Sequence, residues 1–188
     1  MNTANKITIL RILMIPIFMI VLMVKESFYC DIAAAIIFII AAATDGVDGY
    51  VARKYNQITD FGKFIDPLAD KLLVFSALLC FIQMNITSVW APIIIIAREF
   101  FVTSMRVVAV SKGKVIAASW WGKIKTNIQL FSIIGSMSLF VLSEWKMLNM
   151  SKATFWADIL IWAAAIFTVA SWIAYVFENI AVFKDEKN

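Results

Sequence analysis

Four aspartates, Asp45, Asp48, Asp66 and Asp70, stand in two short clusters at helical spacing inside a chain that is otherwise apolar. At about 100° per residue, Asp48, Gly49 and Ala52 lie roughly −60°, +40° and −20° around the axis from Asp45, so one face is acidic and otherwise very small. Gly62, Asp66 and Asp70 likewise share a face, within about 40° of Asp66. The polar turn from Lys54 to Asp60 makes the two helices antiparallel neighbours whose acidic faces can meet. Each Asp near the centre of a membrane helix costs about 2.5–3.5 kcal/mol on insertion scales, so these carboxylates require a counter-charge. Oxygen ligands in a chain with no His suit the hard cations Mg²⁺ or Mn²⁺ better than zinc or copper. Two such ions about 4 Å apart would clamp a diphosphate and polarise its phosphorus for attack. Gly49, Ala52 and Gly62 let a flat base and ribose approach the backbone. Arg53 offers a forked guanidinium to a phosphate oxygen.

Written as Asp-x-x-Asp-Gly-x-x-Ala-Arg, eight residues, Gly-x-x-x-Asp-x-x-x-Asp, the stretch from Asp45 to Asp70 resembles the signature of the CDP-alcohol phosphatidyltransferases and matches it at every defined position. The resemblance implies a membrane enzyme that uses CDP-diacylglycerol and releases CMP. On it, Asp45, Asp48, Asp66 and Asp70 hold Mg²⁺ or Mn²⁺, two ions in all, and Asp70 is the general base. Thr8, Asp48, Gly49, Ala52, Arg53 and Gly62 bind the cytidine diphosphate, and a homodimer is implied.

The elements that must carry these residues are membrane spans. Of 188 residues 62% are apolar, and the mean hydropathy is +0.86, well above the roughly 45–50% apolar content of soluble domains. The length suits a single domain over residues 1–188. Six apolar segments can be drawn: Ile7 to Val24, Asp31 to Lys54, Phe61 to Met84, Val89 to Val110, Trp120 to Leu142 and Ala153 to Phe177. Turn signals separate them at Lys25-Glu26-Ser27, Asn85 to Ser88, Ser111 to Lys114 and Asn149 to Lys152. The expected fold is all-α, a polytopic membrane protein of six transmembrane helices with a short N-terminal interfacial helix.

Charge orients it. One set of segment ends carries Lys6, Arg11, Arg53, Lys54, Lys63, Arg106, Lys112, Lys114, Lys123, Lys125, Lys184 and Lys187, the other only Lys25, Lys146 and Lys152. By the positive-inside rule the first set is cytoplasmic, which puts both termini and the acidic pocket on the cytoplasmic side of the cell membrane. The net charge of +4 fits contact with anionic headgroups, not nucleic acid. Cys30 and Cys80 are isolated and read as small apolar residues.

Asn5, Thr8 and Arg11, read as Asn-x-x-Thr-x-x-Arg, resemble the start of bacterial members of the family, although Ala4 stands where a proline is common. Such a helix would lie under the pocket with the Thr8 hydroxyl toward the nucleotide. Lys6 and Arg11 fit a second reading equally, as headgroup anchors. The fourth segment holds Arg98, Glu99 and Arg106 in an apolar background. Glu99, Thr103 and Arg106 share a face, and intramembrane Arg points to function. Arg98 and Glu99 equally fit mutual neutralisation, which makes Arg106 the better ligand candidate.

On the fifth segment Lys125, Gln129, Ser132 and Ser136 fall within about 40° of one another as a polar stripe that faces inward. The stretches Arg98 to Arg106 and Ala118 to Gln129 resemble the family subgroup that uses sn-glycerol 3-phosphate. Cationic side chains suit a phosphate dianion, and the candidates are Arg106 and Lys125, with Arg98, Lys63, Lys112 and Lys114. Lys123 and Lys125 also fit as interface anchors. Other acceptors remain as alternatives, namely inositol phosphate, serine, or phosphatidylglycerol as in cardiolipin synthesis. A divalent-cation transporter is a further one, since intramembrane acids also mark ion pathways.

Overall fold

A backbone inside a bilayer finds no water to bond, so long apolar runs satisfy their amides as helices. The structure, a computed structural model, describes residues 3–24, 28–54, 59–114 and 119–179, with side chains described at all of these except 3, 4, 28, 47–54, 60, 61, 63 and 64. The described residues form α1 (Thr3–Met23), α2 (Phe28–Lys54), α3 (Asp60–Gln83), α4 (Trp90–Ser111), α5 (Trp120–Glu144) and α6 (Met150–Asn179). The observed helix boundaries lie within a few residues of the expected segments. Among the described residues α1 runs unbroken from Thr3 to Met23, with neither glycine nor proline before Pro16, so the Asn5 to Arg11 stretch is continuous with the first apolar segment.

The helices Asn5–Met23, Tyr29–Gly46, Trp120–Glu144 and Met150–Asn179 are long and apolar enough to cross a membrane. By contrast, α3 carries Asp66, Asp70 and Lys71, and α4 carries Arg98, Glu99 and Arg106. The turns that join the helices use residues suited to them. Asn85, with φ 55°, ends α3 in the left-handed region that Asn tolerates. Gly113 does the same after α4 with φ 70°.

Packing is most extensive between α5 and α6 and between α1 and α2, followed by α1 with α3 and α4 with α6. Small buried residues allow close approach in the first pair. Ala153, Ala157, Ala164 and Ala165 line α6, and the Ser136 hydroxyl donates to the Ser132 carbonyl at 2.8 Å and reaches the Ala157 carbonyl at 3.4 Å. The core continues through Phe18, Phe38, Leu78, Phe81, Ile133 and Ile161, with the rings of Phe18 and Phe38 5.5 Å apart. In contrast, α3 packs only sparsely against α4 and α5. The space between them is where the polar residues gather.

Candidate functional site

A cavity of about 210 Å³ opens among five helices. Arg11 reaches it from α1, Asp45 from α2, Asp70 and Lys71 from α3, Glu99 from α4, and Lys125 and Gln129 from α5. Its floor is apolar, formed by Ala41, Leu73, Val74, Phe75 and Leu130. Carboxylates and cations thus share one low-dielectric space, in which their interactions exceed those at an exposed surface.

The N-terminal half of α1 braces the acidic side. Asn5, Thr8 and Arg11 are all buried and three residues apart, so they form a polar stripe one helix face wide. The Thr59 hydroxyl donates to Asn5 Oδ1 at 3.1 Å and accepts the Gly62 amide at 3.0 Å, which caps α3. Thr8 Oγ1 donates to Asp66 Oδ1 at 2.8 Å. Arg11 Nη1 meets Asp45 Oδ1 at 2.7 Å and Arg11 Nε donates to Thr44 Oγ1 at 3.2 Å. Its side chain is 0% exposed, so it is no headgroup anchor; Lys6 is exposed and keeps that reading. The spacing Asn-x-x-Thr-x-x-Arg held the signal for Arg11, but its partner lies 34 residues away.

Gly62 is explained by the same contact. A Cβ there would stand 3.0 Å from Asn5 Oδ1, 3.2 Å from Thr59 Oγ1 and 3.7 Å from Asp66 Oδ2. A branched side chain would push α1 off α3. Gly62→Val should therefore cost about 1–3 kcal/mol by overpacking, and the thermal midpoint of the purified protein should fall by about 3–10 °C. An unchanged midpoint would mean that α1 is not seated on Gly62.

Asp45 and Asp70 line the cavity, while Asp66 sits one turn before Asp70 and is tied to Thr8. Asp48, Gly49, Ala52, Arg53 and Lys63 fall outside the described side chains. Among the described residues no three carboxylates cluster closely enough to hold a metal. The donor chemistry nevertheless fits a hard divalent cation, being all oxygen. Arg11 Nη1 meets Oδ1 of Asp45 and Thr8 Oγ1 donates to Oδ1 of Asp66, and among the described residues no hydrogen bond falls on Oδ2 of either carboxylate.

On the far side the Lys125 ammonium donates to Glu99 Oε1, which also meets Arg98 Nη1 at 3.2 Å. Arg98 Nη2 donates to Ser171 Oγ at 3.2 Å. Lys71 donates to Thr103 Oγ1, whose hydroxyl donates to the Glu99 carbonyl at 2.7 Å. The inward stripe on α5 is observed, with Lys125, Gln129, Ser132 and Ser136 all buried; Lys123 is exposed, as an anchor would be. Arg106 turns away from the cavity. Its Nε donates to the Tyr175 hydroxyl at 3.2 Å and its guanidinium lies 5.7 Å from that ring's centroid, in reach of a cation–π contact. Lys112 and Lys114 are exposed beyond the end of α4. Sequence reasoning thus left out the cavity residue Lys71, the pairing of Arg11 with Asp45 and the convergence of three helices on Glu99.

Comparison with known proteins gives a family model and relatives that cover most of the chain. A family model described as CDP-alcohol phosphatidyltransferase matches residues 1–174. The chain is 44% identical over 190 residues to the CDP-diacylglycerol–glycerol-3-phosphate 3-phosphatidyltransferase of Bacillus subtilis, spanning 95% of each. It is 37% identical over 180 residues to the protein of the same name in Haemophilus influenzae, spanning 90% of this chain and 89% of the relative. With a probable phosphatidylglycerophosphate synthase of Mycobacterium tuberculosis it shares 38% over 177 residues, 93% of this chain and 80% of that one.

Proposed function

The chain belongs to the CDP-alcohol phosphatidyltransferase family, and on that premise we propose that it transfers the phosphatidyl group of CDP-diacylglycerol to sn-glycerol 3-phosphate, giving phosphatidylglycerophosphate and CMP. One observation carries the assignment of the site: Asp45 and Asp70 face the same cavity as the buried Lys125, so an acid-lined donor site and a cationic acceptor site adjoin.

Asp70 accepts the proton of the glycerol hydroxyl. The freed oxygen bonds to the lipid-side phosphorus, and the bond from that phosphorus to the oxygen of CMP breaks, releasing CMP with the electron pair. Asp45, Asp48, Asp66 and Asp70 would hold Mg²⁺ or Mn²⁺, which when bound supplies charge neutralisation at the diphosphate. Thr8, Asp48, Gly49, Ala52, Arg53 and Gly62 serve the cytidine diphosphate, and Thr8 and Gly62 do so through the seat of α1 on α3. Lys125, with Arg98 behind it, holds the acceptor phosphate. Lys63, Lys112 and Lys114 draw the anion toward the opening, and Arg106 ties α4 to α6.

All six helices cross the cell membrane, with Asp70 and Lys71 of α3 and Glu99 of α4 lining the cavity between them, as a single domain with both termini and the cavity cytoplasmic. The 25 residues of α5 span about 37 Å, between Trp120 and Trp121 at one end and Trp145 at the other, which suits aromatic belts. The protein works among membrane lipids as a homodimer. Purified protein given CDP-diacylglycerol and Mg²⁺ or Mn²⁺ should release CMP with glycerol 3-phosphate and not with inositol phosphate, serine or phosphatidylglycerol. No release with any acceptor would overturn the proposal, and release with another acceptor alone would reassign the substrate.

A further inference from the structure

Basic side chains from three helices converge on Glu99. Lys125 of α5 and Arg98 of α4 share its carboxylate, and Lys71 of α3 reaches its backbone carbonyl through Thr103. The cations lie deeper than the acid, with side chains 2% exposed for Lys125, 7% for Arg98 and 17% for Glu99. Arg98 Nε is buried without a partner among the described residues. Glu99 itself lines the cavity. Two buried cations side by side repel each other and have lost their hydration, so they hold together only around a shared anion.

We infer that Glu99 is a positioning residue that holds the Lys125 ammonium at the cavity wall with the Arg98 guanidinium behind it, ready for a phosphate dianion, and so selects phosphorylated acceptors. The inference rests on the reading that Lys125 holds the acceptor phosphate. Two cations against one carboxylate leave the cluster around Glu99 with an excess positive charge, which Lys125 presents to the cavity. A dianion gains from that ammonium, while a neutral polyol gains nothing. Without the carboxylate the cations separate, and Lys125 swings toward the exposed Thr126 and Asn127, away from the acceptor phosphate. Glu99 acts through Lys125 and touches neither the reacting phosphorus nor the hydroxyl.

Kinetics of the full-length protein with Glu99→Gln and Glu99→Asp test this, with Lys125→Met as reference. Glu99→Gln keeps the shape and removes the charge, so the acceptor KM should rise about tenfold while the KM for CDP-diacylglycerol stays within about twofold. Glu99→Asp keeps the charge on a shorter stem and should give a smaller rise, about threefold, which leaves the inference testable even if the glutamine variant does not fold. A merely structural role would lower stability and kcat without separating the two KM values. An acceptor KM that is unchanged or lowered in the Glu99 variants while Lys125→Met raises it overturns the role of Glu99 alone. If Lys125→Met leaves the acceptor KM unchanged as well, the phosphate site itself is misassigned.

Discussion

Asp70→Asn should lower the rate of CMP release by about 10²–10⁴-fold, the usual contribution of a positioned general base, while affinity for CDP-diacylglycerol stays within roughly threefold. The described carboxylates of the motif differ in what already engages them. Asp45 is bound to Arg11 and Asp66 to Thr8, whereas Asp70 makes no hydrogen bond or ion pair among the described residues and is exposed to the cavity. A base needs a lone pair free to take a proton within hydrogen-bond reach, and of these three only Asp70 offers both oxygens. Asparagine has the same shape and cannot accept that proton, so binding and turnover should part company. Single-turnover CMP release beside equilibrium binding of the lipid donor reads the two separately. Undiminished turnover in Asp70→Asn would remove the base assignment, and equal loss of binding and turnover would make Asp70 a ligand of the donor instead.

How much of this could be read beforehand depended on the range of the interaction. Helix positions follow from the lengths of apolar runs, a local property, and came out within a few residues. The inward stripe Lys125, Gln129, Ser132 and Ser136 is periodicity alone, and all four are buried. Arg106 shows where periodicity stops informing. It shares a face of α4 with Glu99, yet Glu99 meets Lys125 of α5 and Arg106 meets Tyr175 of α6. Packed helices cross at an angle, so successive turns of one face meet different neighbours. A sequence gives the face and not the neighbour. Arg11 kept two readings for a related reason, since a cation at the start of an apolar run resembles an anchor until the distant Asp45 takes it up. Gly62 signalled close approach correctly, but the group that approaches in the structure is Asn5. The motif residues Asp48, Gly49, Ala52 and Arg53 lie outside the described side chains, so their part in the site stands on the pattern.

Lys125→Met should raise the KM for glycerol 3-phosphate by about 10–150-fold, the loss of one charge-assisted hydrogen bond worth roughly 1.5–3 kcal/mol. Methionine fills much of the volume of the lysine stem, so packing around this residue, 2% exposed, is largely kept. Arg106→Ala gives the contrast, because its guanidinium is committed to Tyr175 outside the cavity, and the acceptor KM should move by less than about twofold. The position of Lys125 makes the effect specific to the acceptor. It lines the same cavity as Asp45 and Asp70 and donates to Glu99, so a phosphate held there leaves the other end of the glycerol unit to turn toward Asp70. Initial rates with each substrate varied in turn separate the two KM values, and inorganic phosphate should compete with glycerol 3-phosphate less well in Lys125→Met than in the unaltered protein. If instead Arg106→Ala raised the acceptor KM and Lys125→Met did not, the phosphate would lie at the α4–α6 seam beside Arg106, outside the cavity that Asp70 lines, and the acceptor assignment would fall.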